Sequence, residues 1–108
     1  MNHFIQNIFE SGSVVGRSGK THKLHSAIDQ KEGEFLFSII NSDPTICRTL
    51  EVGCAYGLSS LYICSATSER PDASHTIIDP FQNTQWDGVG IRNLDEVGFD
   101  FYTLIENK

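Results

Sequence analysis

From Ile46 onward, short apolar runs alternate with amphipathic stretches, and this alternation restricts the fold more than any other feature of the chain. "ICRTLEVG" (46–53) is short, apolar and closed by glycine, which suits a buried strand. Leu58, Leu61, Tyr62 and Ala66 then recur at helical spacing, and "ERPDAS" breaks that run with a proline. "HTIIDP" (75–80) reads as a second buried strand, stopped by Pro80. Helical spacing returns at Trp86, Val89, Leu94 and Val97, with Gly98 at the C-cap. "FDFYTLIE" alternates Phe99, Phe101, Thr103 and Ile105 against Asp100, Tyr102, Leu104 and Glu106, a strand less buried than the first two.

Strands separated by single helices pair in parallel through right-handed crossovers. The expected fold class is therefore α/β: a Rossmann-like, three-layer αβα arrangement with three parallel strands in the order 3-2-1. A helix precedes the first strand. Phe35, Leu36, Ile39 and Ile40 supply its apolar spacing, "NSDP" ends it, and a capping box opens it from Ser26 with Asp29 or from Asp29 with Glu32. Residues 1–25 are read as an N-terminal segment in which Phe4, Ile8 and Phe9 share one face of a short helix. "SGSVVGRSGKTHK" follows as an exposed loop.

A chain of 108 residues makes one domain at most. The net charge of −6, with only eight lysines and arginines, argues against a nucleic-acid surface. No apolar run approaches the roughly 20 residues of a membrane span, and "MNHFIQNIFE" lacks the basic start and long apolar stretch of a signal peptide. Cys47, Cys54 and Cys64 form no C-x-x-C pair and leave an odd thiol, as in a reduced, cytoplasmic protein.

In a parallel α/β unit, ligands gather at the carboxyl ends of the strands, beside the first turn. Here that turn is "LEVGCAYGLSS". Gly53 lets the chain leave the strand sharply, and Gly57 lets the next helix pack closely. Glu51, two places before the first glycine, would repel a phosphate on the turn and attract an ammonium group or hydroxyls. The spacing Gly-x-x-x-Gly also departs from the G-x-G-x-x-G dinucleotide pattern. A zwitterionic nucleoside such as S-adenosylmethionine (SAM) fits better. Asp79, twenty-two residues after Gly57, can accept hydrogen bonds from both ribose hydroxyls.

With these residues in place, 26–107 resembles the N-terminal half of a class I SAM-dependent methyltransferase, close to the O-methyltransferase-like members. "LEVGCAYGLSS" is similar to that family's first motif, E/D-x-G-x-G-x-G, with Ala55 in place of the middle glycine. "IIDP" is similar to the second-strand motif that ends in the ribose-binding acid. The resemblance implies a partial SAM-binding domain over 26–108. In it Glu51, Gly53, Ala55 and Gly57, with Cys54 and Tyr56 of the same turn, would wrap the methionine portion. Ser59 would sit near its carboxylate, Asp79 would bind the ribose, and Pro80 and Phe81 would lie towards the adenine.

The resemblance ends after the third strand, so the unit is truncated relative to the seven-stranded family fold. The first strand would then be an exposed edge, open to self-association or to a complementing chain. The implied function is methyl transfer from SAM to an unidentified acceptor, with the catalytic half missing. The alternatives are a non-catalytic SAM- or nucleoside-binding module and a subunit of a split enzyme. No residue stands out as a catalytic base, and no metal ligands are assigned.

Other motifs carry less. "GRSGKT" is close to a phosphate loop, but Val14 occupies the first glycine position and no strand is expected before it. His22 and His25 are spaced H-x-x-H without a third ligand, and they read as a polar segment or as part of a cover, "KTHKLHS", over the SAM site. Cys54 is either an accessible thiol or, by default, a small turn residue; Trp86 is a packing anchor.

Overall fold

The computed structural model describes residues 3–25 and 28–106. Helix α1 (His3–Ser11) leads into an antiparallel hairpin, β1 (Ser13–Val15) and β2 (Thr21–Lys23), with Val14 opposite His22. Helix α2 (Gln30–Asn41) is followed by β3 (Arg48–Val52), α3 (Leu58–Thr67), β4 (Ser74–Ile78), α4 (Val89–Val97) and β5 (Tyr102–Ile105). The last three strands form one parallel sheet in the order β3-β4-β5, with Leu50 beside Thr76 and Thr76 beside Thr103.

The hairpin corrects the reading of residues 11–23 as an exposed loop. Val14 is buried and joins Ile5 and Ile8 of α1 in the same apolar cluster as Leu61, Ile77 and Leu94. Two adjacent β-branched residues, Val14 and Val15, outweigh the Gly and Ser around them. "GRSGKT" forms the connection between the two strands, closed by Gly16 N–H to the Lys20 carbonyl at 2.9 Å. A strand, not a helix, follows it, so the phosphate-loop arrangement is absent there.

Helix α2 starts at Asp29, whose carboxylate accepts from Glu32 N–H at 2.8 Å while the Glu32 side chain accepts from Asp29 N–H at 3.1 Å. Of the two capping boxes offered by the sequence this is the one formed; Ser26 lies outside the described residues. The inward face of α2 is Gly33, Leu36, Phe37 and Ile40, while Phe35 and Ile39 point outwards, Phe35 being 68% exposed. Gly33 is what moves the face: a Cβ there would lie 2.0 Å from the ring of Tyr62, so α2 crosses α3 at that point. Helix α3 is buried nearly all round, as a helix enclosed by its neighbours must be.

One face of the sheet carries Thr49, Glu51, His75, Ile77, Tyr102 and Leu104. Ile77, Tyr102 and Leu104 of this face pack into the cluster built by α1, α3 and α4. The opposite face carries Leu50, Val52, Thr76, Ile78, Thr103 and Ile105, none of them buried. Leu50 is 63% and Val52 79% exposed, which corrects the reading of 46–53 as a buried strand. Among the described residues β3 pairs only with β4, so it is an edge, and helices cover one face where a three-layer arrangement needs both.

The break at "ERPDAS" has a structural purpose. Arg70 reaches back to donate to the carbonyls of Ile40, Asn41, Asp43 and Ile46 at 2.6–3.3 Å. A single guanidinium thereby closes the C-terminus of α2 and the approach to β3.

Candidate functional site

Strand β3 delivers its last residues to a turn of alternating left-handed backbone: Gly53 at φ 83°, Ala55 at φ 49° and Gly57 at φ 79°. Ala55, which stands where the methyltransferase motif has glycine, thus adopts a conformation that a Cβ disfavours by about 1–2 kcal/mol. Gly57 needs its missing side chain for a second reason. A Cβ would lie 2.7 Å from Gly90 Cα, so the start of α3 rests on the backbone of α4. The sequence places a close approach of α3 to its own strand at Gly57; the contact that needs the glycine is instead with α4.

Asp79, at the tip of β4, organises this turn. Its Oδ2 accepts from Cys54 N–H at 3.0 Å, Ala55 N–H at 3.2 Å and Gln82 Nε2 at 3.1 Å; its Oδ1 accepts from Phe81 N–H at 3.1 Å. Burial pushes this carboxyl up, but the bonds from Cys54, Gln82, Phe81 and Ala55 outweigh burial and hold it below the usual carboxylate value. Oδ2 is therefore committed to the chain itself, and Oδ1 is the oxygen with acceptor capacity to spare.

Gln82 was not singled out from the sequence, yet it is fully buried and bonded through both ends of its amide. Nε2 donates to the Ala55 carbonyl at 3.0 Å and to Asp79, while Oε1 accepts from Gly90 N–H at 2.8 Å and Ile91 N–H at 3.2 Å. Asn93, also buried, donates to the Tyr56 carbonyl at 2.9 Å. A polar residue on the apolar side of α4 was the signal available for Asn93; nothing local marks Gln82.

Glu51 lies on the covered face of β3. Its Oε1 accepts from Ser60 Oγ in a short hydrogen bond and lies 3.1 Å from His75 Nε2. No described residue bonds Oε2. Glu51, Gly53, Cys54, Ala55, Tyr56, Leu58 and Ser59 line a cavity of about 150 Å³, which Ile28 closes from the N-terminal side. Leu58 and Ser59 of this lining open α3, which has no side-chain cap at Gly57, so its first-turn N–H groups have no cap partner. Six of the residues expected from the sequence, Glu51, Gly53, Cys54, Ala55, Tyr56 and Ser59, line this one cavity, with Leu58 and Ile28 added; Gly57, Asp79, Pro80 and Phe81 do not line it. Asp79 anchors the turn from behind, and Phe81, 55% exposed, stands beyond it.

Cys54 is buried rather than accessible: burial pushes its thiol up to about 12, as it does that of Cys64. Tyr56 also faces a larger cavity of about 330 Å³ lined by His22, Lys23, His25 and Trp86. Its hydroxyl donates to the Lys23 carbonyl at 3.4 Å and accepts from His25 N–H at 3.3 Å, so Lys23 and His25 are tied to the turn. Trp86 packs edge-on against Tyr56, centroids 5.1 Å apart. His22 bonds Asp87 at 2.9 Å. No group of three or more metal-ligating side chains is found among the described residues. No helix among them is long and apolar enough to cross a membrane.

No family model and no curated protein matches the chain. Solved structures do. The SAH-bound methyltransferase PaMTH1 of Podospora anserina superposes with TM-score 0.73 at 17% identity, over 100% of this chain and 43% of that one. The O-methyltransferase TomG of Streptomyces achromogenes, involved in tomaymycin synthesis and solved with SAM, gives 0.68 at 18%, over 96% and 42%. An O-methyltransferase of Bacillus cereus in complex with SAH gives 0.70 at 10%, over 97% and 43%. The chain spans less than half the length of each of these enzymes. Over the part that it spans, it has the fold of a class I SAM-dependent methyltransferase.

Proposed function

We propose that this chain binds SAM at the β3–α3 turn and serves methyl transfer to an acceptor. The observation that carries the proposal is Glu51: one carboxylate oxygen is fixed by Ser60 and His75, and the other is left for the cavity at an uncapped helix N-terminus. Such a site takes an amino-acid zwitterion end-on, with the ammonium at Glu51 and the carboxylate at the N–H groups near Ser59. A cavity of about 150 Å³ is too small for a whole nucleoside, since ligand sites run to about 300–1,000 Å³. The ribose and adenine therefore extend past Pro80 towards the exposed ring of Phe81, and Asp79, only 3% exposed, can meet the ribose through Oδ1 alone.

Bound SAM supplies an activated methyl group, and transfer depends chiefly on aligning the acceptor nucleophile with it. The residues described here hold and orient the cofactor; none is placed as a base. Acceptor contacts belong to whatever packs on the exposed Leu50 and Val52 and on the free edge of β3, whether more of the same fold or a second chain. A second helical layer on that face would complete the three-layer arrangement. The three free thiols suit a cytoplasmic setting.

Thermal melting with SAH tests the reading. At a concentration about 100 times its dissociation constant, a ligand that binds only the folded chain adds about 2.7 kcal/mol, a rise in Tm of roughly 10 °C for a domain of this size. A cooperatively melting chain whose Tm does not move with millimolar SAH contradicts the proposal.

A further inference from the structure

We infer that His75 is the positioning residue of the ammonium subsite: from β4 it reaches across to β3 and holds the Glu51 carboxylate in place. The inference rests on the SAM-binding reading above, because it concerns the group that Glu51 receives.

The geometry is specific. The His75 side chain is wholly buried and that of Glu51 is 13% exposed. His75 Nδ1 is 2.8 Å from Thr49 Oγ1, and Nε2 is 3.1 Å from Glu51 Oε1, so both ring nitrogens are engaged by β3. Thr49 Oγ1 also lies 3.3 Å from the Ser74 carbonyl. The Thr49 hydroxyl has one proton; given to Nδ1, it leaves Nε2–H to donate to Glu51 and so orients the ring towards the carboxylate.

The test is calorimetric titration with SAH at one pH on the wild type, His75→Gln and His75→Leu. Gln keeps an N–H directed at Glu51; Leu removes the donor. The Gln variant should bind like the wild type, and the Leu variant should lose about tenfold. A folded His75→Leu variant that binds like the wild type overturns the inference, and so does a His75→Gln variant that loses about tenfold, a comparison that stands even if His75→Leu fails to fold.

If the wild type binds no SAH, the proposed function fails, and NMR of the imidazole nitrogens still judges His75. A His75 Nε2 resonance displaced by Glu51→Gln upholds the hydrogen bond between the two; one that is unmoved overturns it.

Discussion

Asp79 Oδ2 lies 3.0 Å from the backbone nitrogen of Cys54, so a carboxylate at the tip of β4 closes the turn that leaves β3. Three further donors, from Ala55, Gln82 and Phe81, complete its shell.

This shell makes the fold acid-sensitive in a defined direction. Burial raises the Asp79 carboxyl, the four hydrogen bonds lower it further, and the net position is below 3.8. The unfolded chain then takes up the proton first, so the stabilisation is complete above about pH 3.8 and is lost as pH falls through the lower, folded value. Urea midpoints measured from pH 5 down to pH 2.5 should fall, and Asp79→Asn should flatten that fall. At neutral pH the same variant should cost about 2 kcal/mol, because buried N–H groups lose an acceptor.

The turn backbone gives a pair of opposite expectations. Ala55→Gly relieves a left-handed Cβ and should stabilise by about 0.5–1 kcal/mol after the entropy of the extra glycine is subtracted. Gly57→Ala adds both a positive-φ penalty and a contact with Gly90 backbone, and should cost about 3 kcal/mol or more. Melting temperatures of the two variants, read side by side, check the sign of each.

The strands and helices after residue 28 were legible because buried runs, helical spacing and glycine or proline stops coincide there. The glycine turn was legible for a related reason: Gly53 and Gly57, which close the strand and open the helix, both adopt the left-handed backbone that glycine supplies. What stayed hidden depends on contacts between distant residues. His75 sits within an ordinary strand pattern, and only the β3–β4 register brings it beside Thr49 and Glu51. Gln82 and Arg70 act through carbonyls and amides far along the chain, which no spacing rule reports. The inward face of α2 was misjudged because glycine, counted as a gap, is where Tyr62 packs.

Thiol chemistry offers a direct probe of the turn. Cys54 and Cys64 are buried, and Cys47 is partly accessible. A disulfide reagent at pH 8 should label one thiol of the native protein quickly, identifiable by peptide mass as Cys47, and all three after denaturation. Fast native labelling of Cys54 would mean that the turn opens readily.

Arg70 should matter more than its place on a surface turn suggests. Arg70→Ala strips partners from the carbonyls of Ile40, Asn41, Asp43 and Ile46 and should cost about 1–3 kcal/mol. Arg70→Lys should recover only part of this, since an ammonium cannot span carbonyls in a fork. Chemical denaturation of both variants measures the difference.

The central claim is that Glu51 and the α3 N-terminus receive the amino-acid end of SAM. Isothermal titration of the wild type and Glu51→Ala with SAM at pH 7.5 tests it most directly. The account predicts saturable one-site binding by the wild type and a loss of about tenfold or more in the variant. A folded wild-type chain that takes up no SAM, or a Glu51→Ala variant that binds it equally well, would contradict the account.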